Sequence, residues 1–482
     1  MNRRTFLGQA SAFAVVASSG TRLACASILP WGALGKQLSG RLVLPGEDDF
    51  LALARPNNLR YALRQPRGIA LCANAADVAA SIRWATEHGV PLIARSGGHS
   101  YAGYSTTTGL MIDVARMHDF AFDSSTGIVT VGGGARNKHV YANCRKVGVA
   151  ITHGRCAEVG IAGLSLGGGV GFNMRAHGVL CDQLVESEIV TADGSTRVTN
   201  PSKNPDLFWA CRGGGGGNFG INTSMSFQTF DVGRVTAYDL SWVTDLERVF
   251  ERLVAALETA PASLGCKVSI TASPRTGGGV PNMRVELLGQ FAGSSSELLE
   301  ILHPVYAVRP PSNASFLKEL PYWDAQDKLS ELGSPAYFQE RSRFLNDRFS
   351  HTAIDTIFGW LRRWPATTDS ATFKAFQTGE RINAVSREAT AFAHRESHWL
   401  GSVDVIWNRK TAIDVLQRNL EWQSDFYDAL IPIAKGGAYQ NFADPSLSDW
   451  ETAYYGANLP RLEAVKRRVD PARVFTFPEA IP

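Results

Sequence analysis

The chain has 482 residues, 44% of them hydrophobic and 19% charged. This is globular composition, able to bury a sizeable core and unlike disordered or collagen-like chains. The formal charge of +3 comes wholly from Arg3, Arg4 and Arg22, so the rest of the chain is neutral, which argues against nucleic acid as a partner.

The first segment reads as an export signal over residues 1–26. Arg3-Arg4-Thr5-Phe6-Leu7 resembles a twin-arginine signal, and Ala24-Cys25-Ala26 supplies a small-x-small cleavage pattern. The longest unbroken apolar run, Ala12 to Ala17, is too short to span a bilayer, so no stable membrane anchor is expected. The expected location is periplasmic or secreted. Arg22 stands where lipid attachment through Cys25 would want an aliphatic residue. Beyond the signal, Cys72, Cys144, Cys156, Cys181, Cys211 and Cys266 form no Cys-x-x-Cys pair, so neither a zinc ribbon nor a disulfide scaffold is expected.

Residues 27–49 lack periodicity and read as a loose segment. Gly68 to Cys72 reads as a strand, and Asn74 is placed to cap a helix with Val78, Ile82 and Ala85 on one face, closed by Gly89. Strands follow at Pro91–Arg95, Gly109–Val114 and Ile128–Val131. A helix over Asn137–Val147 turns Val140, Cys144 and Val147 one way before Gly148. Glu186–Val198 alternates around Asp193-Gly194, a hairpin signal, and Thr223–Phe230 alternates after five consecutive glycines, Gly213 to Gly217. From about 231 to 432, strand-like runs (Lys267–Ala272, Arg284–Gly289, Ser402–Trp407) mix with amphipathic helices (Leu246–Thr259, Ser350–Arg362, Thr411–Ile431). This pattern predicts an antiparallel sheet covered by helices. The fold class is α+β.

The glycines cluster where chemistry would sit. In Arg95-Ser96-Gly97-Gly98-His99-Ser100, directly after a strand, successive N–H groups can form a nest for a pyrophosphate. In Gly160-Ile-Ala-Gly163-Leu-Ser-Leu-Gly167-Gly168-Gly169-Val-Gly171, missing side chains would let a flat ligand approach the backbone. Neither cluster is a Rossmann Gly-x-Gly-x-x-Gly or a Walker A loop. His153, His177 and His398 lack metal-ligand spacing, and no metal site is expected.

These residues carry a family resemblance. Arg95 to Gly103, Gly154-Arg-Cys156 to Gly163, Leu166 to Gly171, Val190 to Gly194, Phe208 to Gly220 and the C-terminal Tyr454-Tyr-Gly-Ala-Asn through Pro478 resemble the berberine bridge enzyme-like oxidases of the vanillyl-alcohol oxidase superfamily, with a PCMH-type FAD-binding fold. The resemblance implies two lobes: an FAD-binding lobe over 45–230, rejoined by 433–482, and a substrate lobe over 231–432. It implies a bicovalent FAD, bonded by His99 at the 8α-methyl and by Cys156 at C6. Imidazole and thiolate are nucleophiles that can add to an electron-poor ring. Arg95, Ser96, Gly97, Gly98, Ser100, Gly160, Gly163, Gly168, Gly169, Gly171, Val190 and Asn441 are the further expected cofactor contacts.

The catalytic base is less direct. Tyr439-Gln-Asn441-Phe442 resembles the family's Tyr-x-Asn-Tyr, but phenylalanine stands where a tyrosine commonly deprotonates substrate. Ser402 stands where Gln or Glu is common. Two candidates follow, Asp404, which faces the same way as Ser402, and Tyr439. The implied reaction removes a proton from a small-molecule alcohol, such as a sugar or natural-product hydroxyl, passes hydride to flavin N5 and reduces O2 to H2O2. A dehydrogenase with another acceptor, and a flavin-binding protein without turnover, are the alternatives.

Overall fold

Strand Gly68–Leu71 is apolar and buried throughout, as the inner strand of a parallel arrangement should be. It pairs in parallel with Leu110–Asp113, which pairs in parallel with Leu92–Arg95. The computed structural model describes residues 29–274, 279–365 and 368–482; the export signal read at 1–26 lies outside them. The helix after the first strand, Ala75–Glu87, starts where the Asn74 side chain accepts from the Asp77 N–H at 3.0 Å, and it buries Val78, Ile82 and Ala85. Helix Asn137–Val147 has its expected bounds and stops at Gly148, at φ +74°. Val140 and Cys144 are buried there, whereas Val147, at the last position, is exposed.

The segment expected to be loose is ordered from residue 29. Trp31–Gln37 is a helix, and Arg41–Val43 adds an antiparallel edge strand to Gly68–Leu71. The Trp31 and Trp84 rings meet at 4.5 Å, and the Asp77 carboxylate accepts from the Ser39 and Gly40 N–H groups at 2.8 Å each. Long-range contacts, not local periodicity, hold this segment, so its sequence carried no signal.

Among the described residues the main sheets have four, five and seven strands. The five-stranded sheet is antiparallel and includes the expected Leu184–Val190/Thr196–Thr199 hairpin around Gly194. The seven-stranded sheet is antiparallel throughout, in spatial order Asn313–Pro321, Arg234–Trp242, Asn282–Phe291, Leu264–Ser273, Ser370–Gln377, Trp399–Trp407 and Tyr337–Leu345. Because strand side chains alternate, Val268, Ile270, Val285, Leu287, Phe373, Val403 and Val405 fall on one face. There they are buried with the apolar sides of helices Leu246–Glu258, His351–Arg362 and Ile413–Ala434. The opposite face is polar and looks toward the first half of the chain. The C-terminal stretch returns to that half: Lys466 Nζ donates to Asn218 O at 2.6 Å, and Ile481 N–H to Asn218 Oδ1 at 3.0 Å. This is a mixed fold of two lobes. No helix among the described residues is long and apolar enough to cross a membrane.

Phe373 is buried against Phe349 and Phe426 on the helix-covered face. Phe373→Ala is expected to destabilise the protein by about 3–5 kcal/mol, read as a lower urea midpoint with unchanged slope.

Candidate active site

A cavity of about 630 Å³ lies between the glycine loops of the first lobe and the polar face of the seven-stranded sheet. Two loops meeting without side chains make its floor. A Cβ on Gly97 would fall 2.2 Å from Gly160 N, and one on Gly160 would fall 2.4 Å from Gly97 N, so both positions require glycine. Ser96 Oγ secures the first loop by donating to Gly133 O at 2.8 Å, and Ser100 Oγ accepts from Tyr104 N–H at 2.9 Å. The Arg95 guanidinium is buried and donates to Ser105 O at 2.8 Å and Ala54 O at 3.1 Å. Arg95 is therefore a clamp on the loop.

This seam brings His99 and Cys156 together. A Cβ on Gly333, which sits at φ +66°, would lie 3.0 Å from Cys156 Cβ and 3.2 Å from His99 Cε1. Burial, with Arg136 adding, pushes the His99 imidazole down to about 4, leaving a neutral ring with a free lone pair. Burial and the Glu331 carboxylate push the Cys156 thiol up to about 12, and Sγ donates to Glu331 Oε1 at 3.0 Å. Among the described residues all six cysteines are free, and Cys156 is the one not fully buried.

Gly98, Gly163, Gly171 and Asn441 also line the cavity, while Gly168, Gly169 and Val190, expected at the cofactor, do not. The space where Gly168 would carry a Cβ is taken by the Phe392 ring, and that of Gly169 by Leu180. Val190 is fully buried in the core under helix Ala75–Glu87, because the strand's alternation turns it away from the cavity.

The roof carries the charges. Lys374 Nζ bridges Asp404 Oδ2 at 2.9 Å and Glu340 Oε2 at 3.1 Å, and Ser402 Oγ donates to Glu340 Oε1 at 2.6 Å. Asp404 and Glu340 are direct cross-strand partners. Burial, with the Glu340 charge, pushes Asp404 up to about 6 despite Lys374. Burial works against the Lys374 charge, but its two carboxylates outweigh this and hold it protonated. Tyr439 is differently placed. Its hydroxyl accepts from Gly169 N–H at 3.0 Å and from Asn441 Nδ2 at 3.1 Å, and burial pushes the phenol up to about 12. Asn441 Nδ2 also donates to Leu164 O at 2.9 Å, which makes the Tyr439–Asn441 pair a brace for the glycine turn. Phe442 stacks on Tyr101 at 4.9 Å and gives the cavity an aromatic wall.

Sequence reasoning missed Glu340, Lys374 and Glu331. Tyr337–Leu345 contains Gln-Glu-Arg-Ser-Arg, which reads as exposed surface, yet Glu340, Arg341, Ser342 and Arg343 are all buried. Arg341 is absorbed by Asp444 at 2.6 Å. Period-2 alternation of Lys374 with apolar Phe373 and Ala375 was the available signal.

Comparisons with known proteins agree with this geometry. The model of a family described as FAD binding domain matches residues 66–200, and that of one described as berberine and berberine like matches residues 438–482. An uncharacterized FAD-linked oxidoreductase of Bacillus subtilis, YgaK, is 31% identical, covering 92% of this chain and 97% of the relative. The chain belongs to the berberine bridge enzyme-like FAD-linked oxidoreductases. Within this family, the solved structure of Physcomitrella patens BBE-like 1 matches with a TM-score of 0.84 at 27% identity, covering 94% of this chain and 98% of that one. A structure of glucooligosaccharide oxidase from Acremonium strictum, described with a 6-S-cysteinyl, 8α-N1-histidyl FAD, matches with a TM-score of 0.82 at 26% identity, covering 93% and 98%.

The cavity fits the family's cofactor. Nothing lies within 4 Å of where a Gly163 Cβ would project, and the Gly216 position on the same wall is nearly as open. Gln440 Oε1 belongs to a cavity-lining residue and is buried with no hydrogen-bond partner among the described residues, and the Glu479 carboxyl lines the same cavity beside Tyr104 and Tyr454. These polar groups of the cavity lining suit a ligand with hydrogen-bonding edges. Burial, with Asp444, pushes Glu479 up to about 7. Among the described residues no His, Cys, Asp and Glu side chains cluster as metal ligands. Gly97→Ala is expected to force the two floor loops apart, destabilising the protein by about 1–3 kcal/mol and lowering its flavin-to-protein absorbance ratio severalfold.

Proposed function

We propose that this enzyme is an exported oxidase that oxidises a hydroxyl of a carbohydrate, using FAD tethered at His99 and Cys156, with Asp404 as base and O2 as electron acceptor. The observation that carries this reading is the Asp404–Lys374–Glu340 cluster facing the cavity whose floor holds His99 and Cys156. The likeness to an oligosaccharide oxidase described with that double linkage supports the tethers and the substrate class. Ser269, Thr271, Thr372, Glu286 and Arg284 face the same cavity and offer hydroxyl and charged hydrogen-bonding groups suited to a polyhydroxylated substrate. In this reading residues 45–230 with 433–482 hold the cofactor and 231–432 hold the substrate. The twin-arginine signal carries the folded, loaded protein to the periplasm or beyond.

When bound, FAD supplies an electron-poor ring that accepts hydride and passes the electrons on to O2. The protein's residues manage the proton. Asp404 accepts it at a carboxylate oxygen, and an acid near 6 is ionised at neutral pH yet basic enough to serve. Lys374 neutralises the Asp404–Glu340 repulsion and orients the accepting oxygen. Ser402 holds Glu340 in place. Tyr439, near 12 with its oxygen already accepting two hydrogen bonds, keeps its own proton and shapes the pocket.

Asp404→Asn is expected to slow anaerobic flavin reduction by ~10² or more, whereas Tyr439→Phe should change it only a few-fold. In the parent enzyme the reduction rate should fall as pH drops through about 6, where Asp404 takes up its proton, and be level above it. A level profile down to pH 4 would remove Asp404 from the role. Intact mass of the denatured protein should exceed the polypeptide by one FAD, on peptides containing His99 and Cys156. Peroxide formation with sugars in air would distinguish an oxidase from a dehydrogenase.

A further inference from the structure

The Cys156 thiol has a single polar side-chain partner among the described residues, the Glu331 carboxylate at 3.0 Å. This contact crosses between lobes and is built rather than incidental. Cys156 and Glu331 form a parallel β-bridge. Ala157 N–H donates to Glu331 O at 2.8 Å, Glu331 N–H donates to Arg155 O at 3.2 Å, and Arg155 Nη2 holds the second carboxylate oxygen at 3.1 Å. Gly333, two residues on and at φ +66°, comes so close to Cys156 and His99 that a Cβ there would crowd both, at 3.0 and 3.2 Å. Glu331 therefore reaches Cys156 with one oxygen anchored and the other aimed at Sγ.

A thiol pushed up to about 12 is almost wholly protonated at neutral pH, and the protonated form is a poor nucleophile. If Cys156 is to bond a flavin carbon, something must take its proton. Resting on the bicovalent reading above, we propose that Glu331 is the general base that removes the Cys156 proton as the sulfur bonds to flavin C6. Burial opposes the Glu331 charge, but Arg155, the Cys156 thiol, Lys267 and Lys374 outweigh it and keep the carboxylate ionised. The proton passes from Sγ to Oε1 while the sulfur lone pair forms the S–C6 bond. The C6 hydrogen leaves as a proton, and the electron pair of that broken bond stays in the ring system. Dioxygen then accepts two electrons from the ring with two protons, forming hydrogen peroxide and leaving the linked ring oxidised. Proton removal and bond formation are concerted, because a carboxylate is too weak a base to leave a thiol near 12 as a free thiolate before the sulfur bonds.

The opposite role predicts the opposite sign. If Glu331 were only a nearby negative charge, its removal would ease thiol ionisation, with Arg155 left to favour the thiolate. The test uses the full-length protein, parent and Glu331→Gln, each isolated with flavin and incubated in air between pH 7 and 10. Acid-quenched samples are peptide-mapped for the fraction of Cys156 peptide that carries flavin. Glu331→Gln should retain the His99 link, form the Cys156 link ~10²-fold more slowly or more at pH 7, and recover as pH rises and hydroxide takes the proton. Linkage in Glu331→Gln at or above the parental rate overturns the proposal. If Glu331→Gln is isolated without flavin, Glu331→Asp decides: slowed linkage restored by alkaline pH supports the base, and parental linkage overturns it. A parent protein whose Cys156 peptide never carries flavin would defeat the bicovalent reading itself, an outcome separable from failure of Glu331 alone.

Discussion

The backbones of Gly97 and Gly160 approach so closely that neither residue could carry a side chain, and the architecture of the site depends on that contact. It fuses two loops that are distant in sequence into one floor. It also brings His99 within reach of Cys156, so that one ring could meet both. The surrounding bonds serve the same seam. Ser96 ties one loop to Gly133, Arg95 clamps its base to carbonyls near residue 54, and the Tyr439–Asn441 pair braces the turn that follows Gly163.

Against this floor stands a sheet with two different faces. The helix-covered face is ordinary core, where burial of Val, Ile, Leu and Phe drives folding. The cavity face keeps Lys374, Glu340 and Asp404 largely out of water, an arrangement that is stable only because each charge has a partner and remaining polar atoms are hydrogen-bonded. Asp404 holds its proton more tightly than an ordinary carboxylate because burial disfavours its charge and the neighbouring Glu340 carboxylate adds to this, against the pull of Lys374. That raised proton affinity is what the proposed role of Asp404 as a base relies on.

The two halves of the chain also meet at His99 and Cys156, where the cofactor would be attached. Glu331 and Gly333 belong to the second half of the chain, yet they pack on Cys156 and His99 from the first. The residues proposed for flavin attachment and for substrate chemistry thus line one cavity, with Glu331, Glu340 and Asp404 all coming from the second half of the chain.

The sequence by itself determined a good deal. Hydrophobic period placed helices Ala75–Glu87 and Asn137–Val147, a turn signal placed the Asp193-Gly194 hairpin, and the glycine-rich segments holding His99 and Cys156 marked residues that line the cavity. These features are local: a cap, a periodicity or a turn is written within a dozen residues. Asp404 was legible too, since alternation alone puts it beside Ser402 on one face. What only the tertiary structure decided is which charged groups share a space. Glu340 meets Asp404 and Lys374 through strand register, Glu331 meets Cys156 through a bridge between lobes, and the ordered start of the chain is held by Trp84 and Asp77. Val190, Gly168 and Gly169 lie in the expected motifs but off the cavity wall. Motif membership states that a segment is near the cofactor, whereas the direction of each side chain follows from strand alternation and from which neighbour fills the space, and both are settled only when the sheets pack.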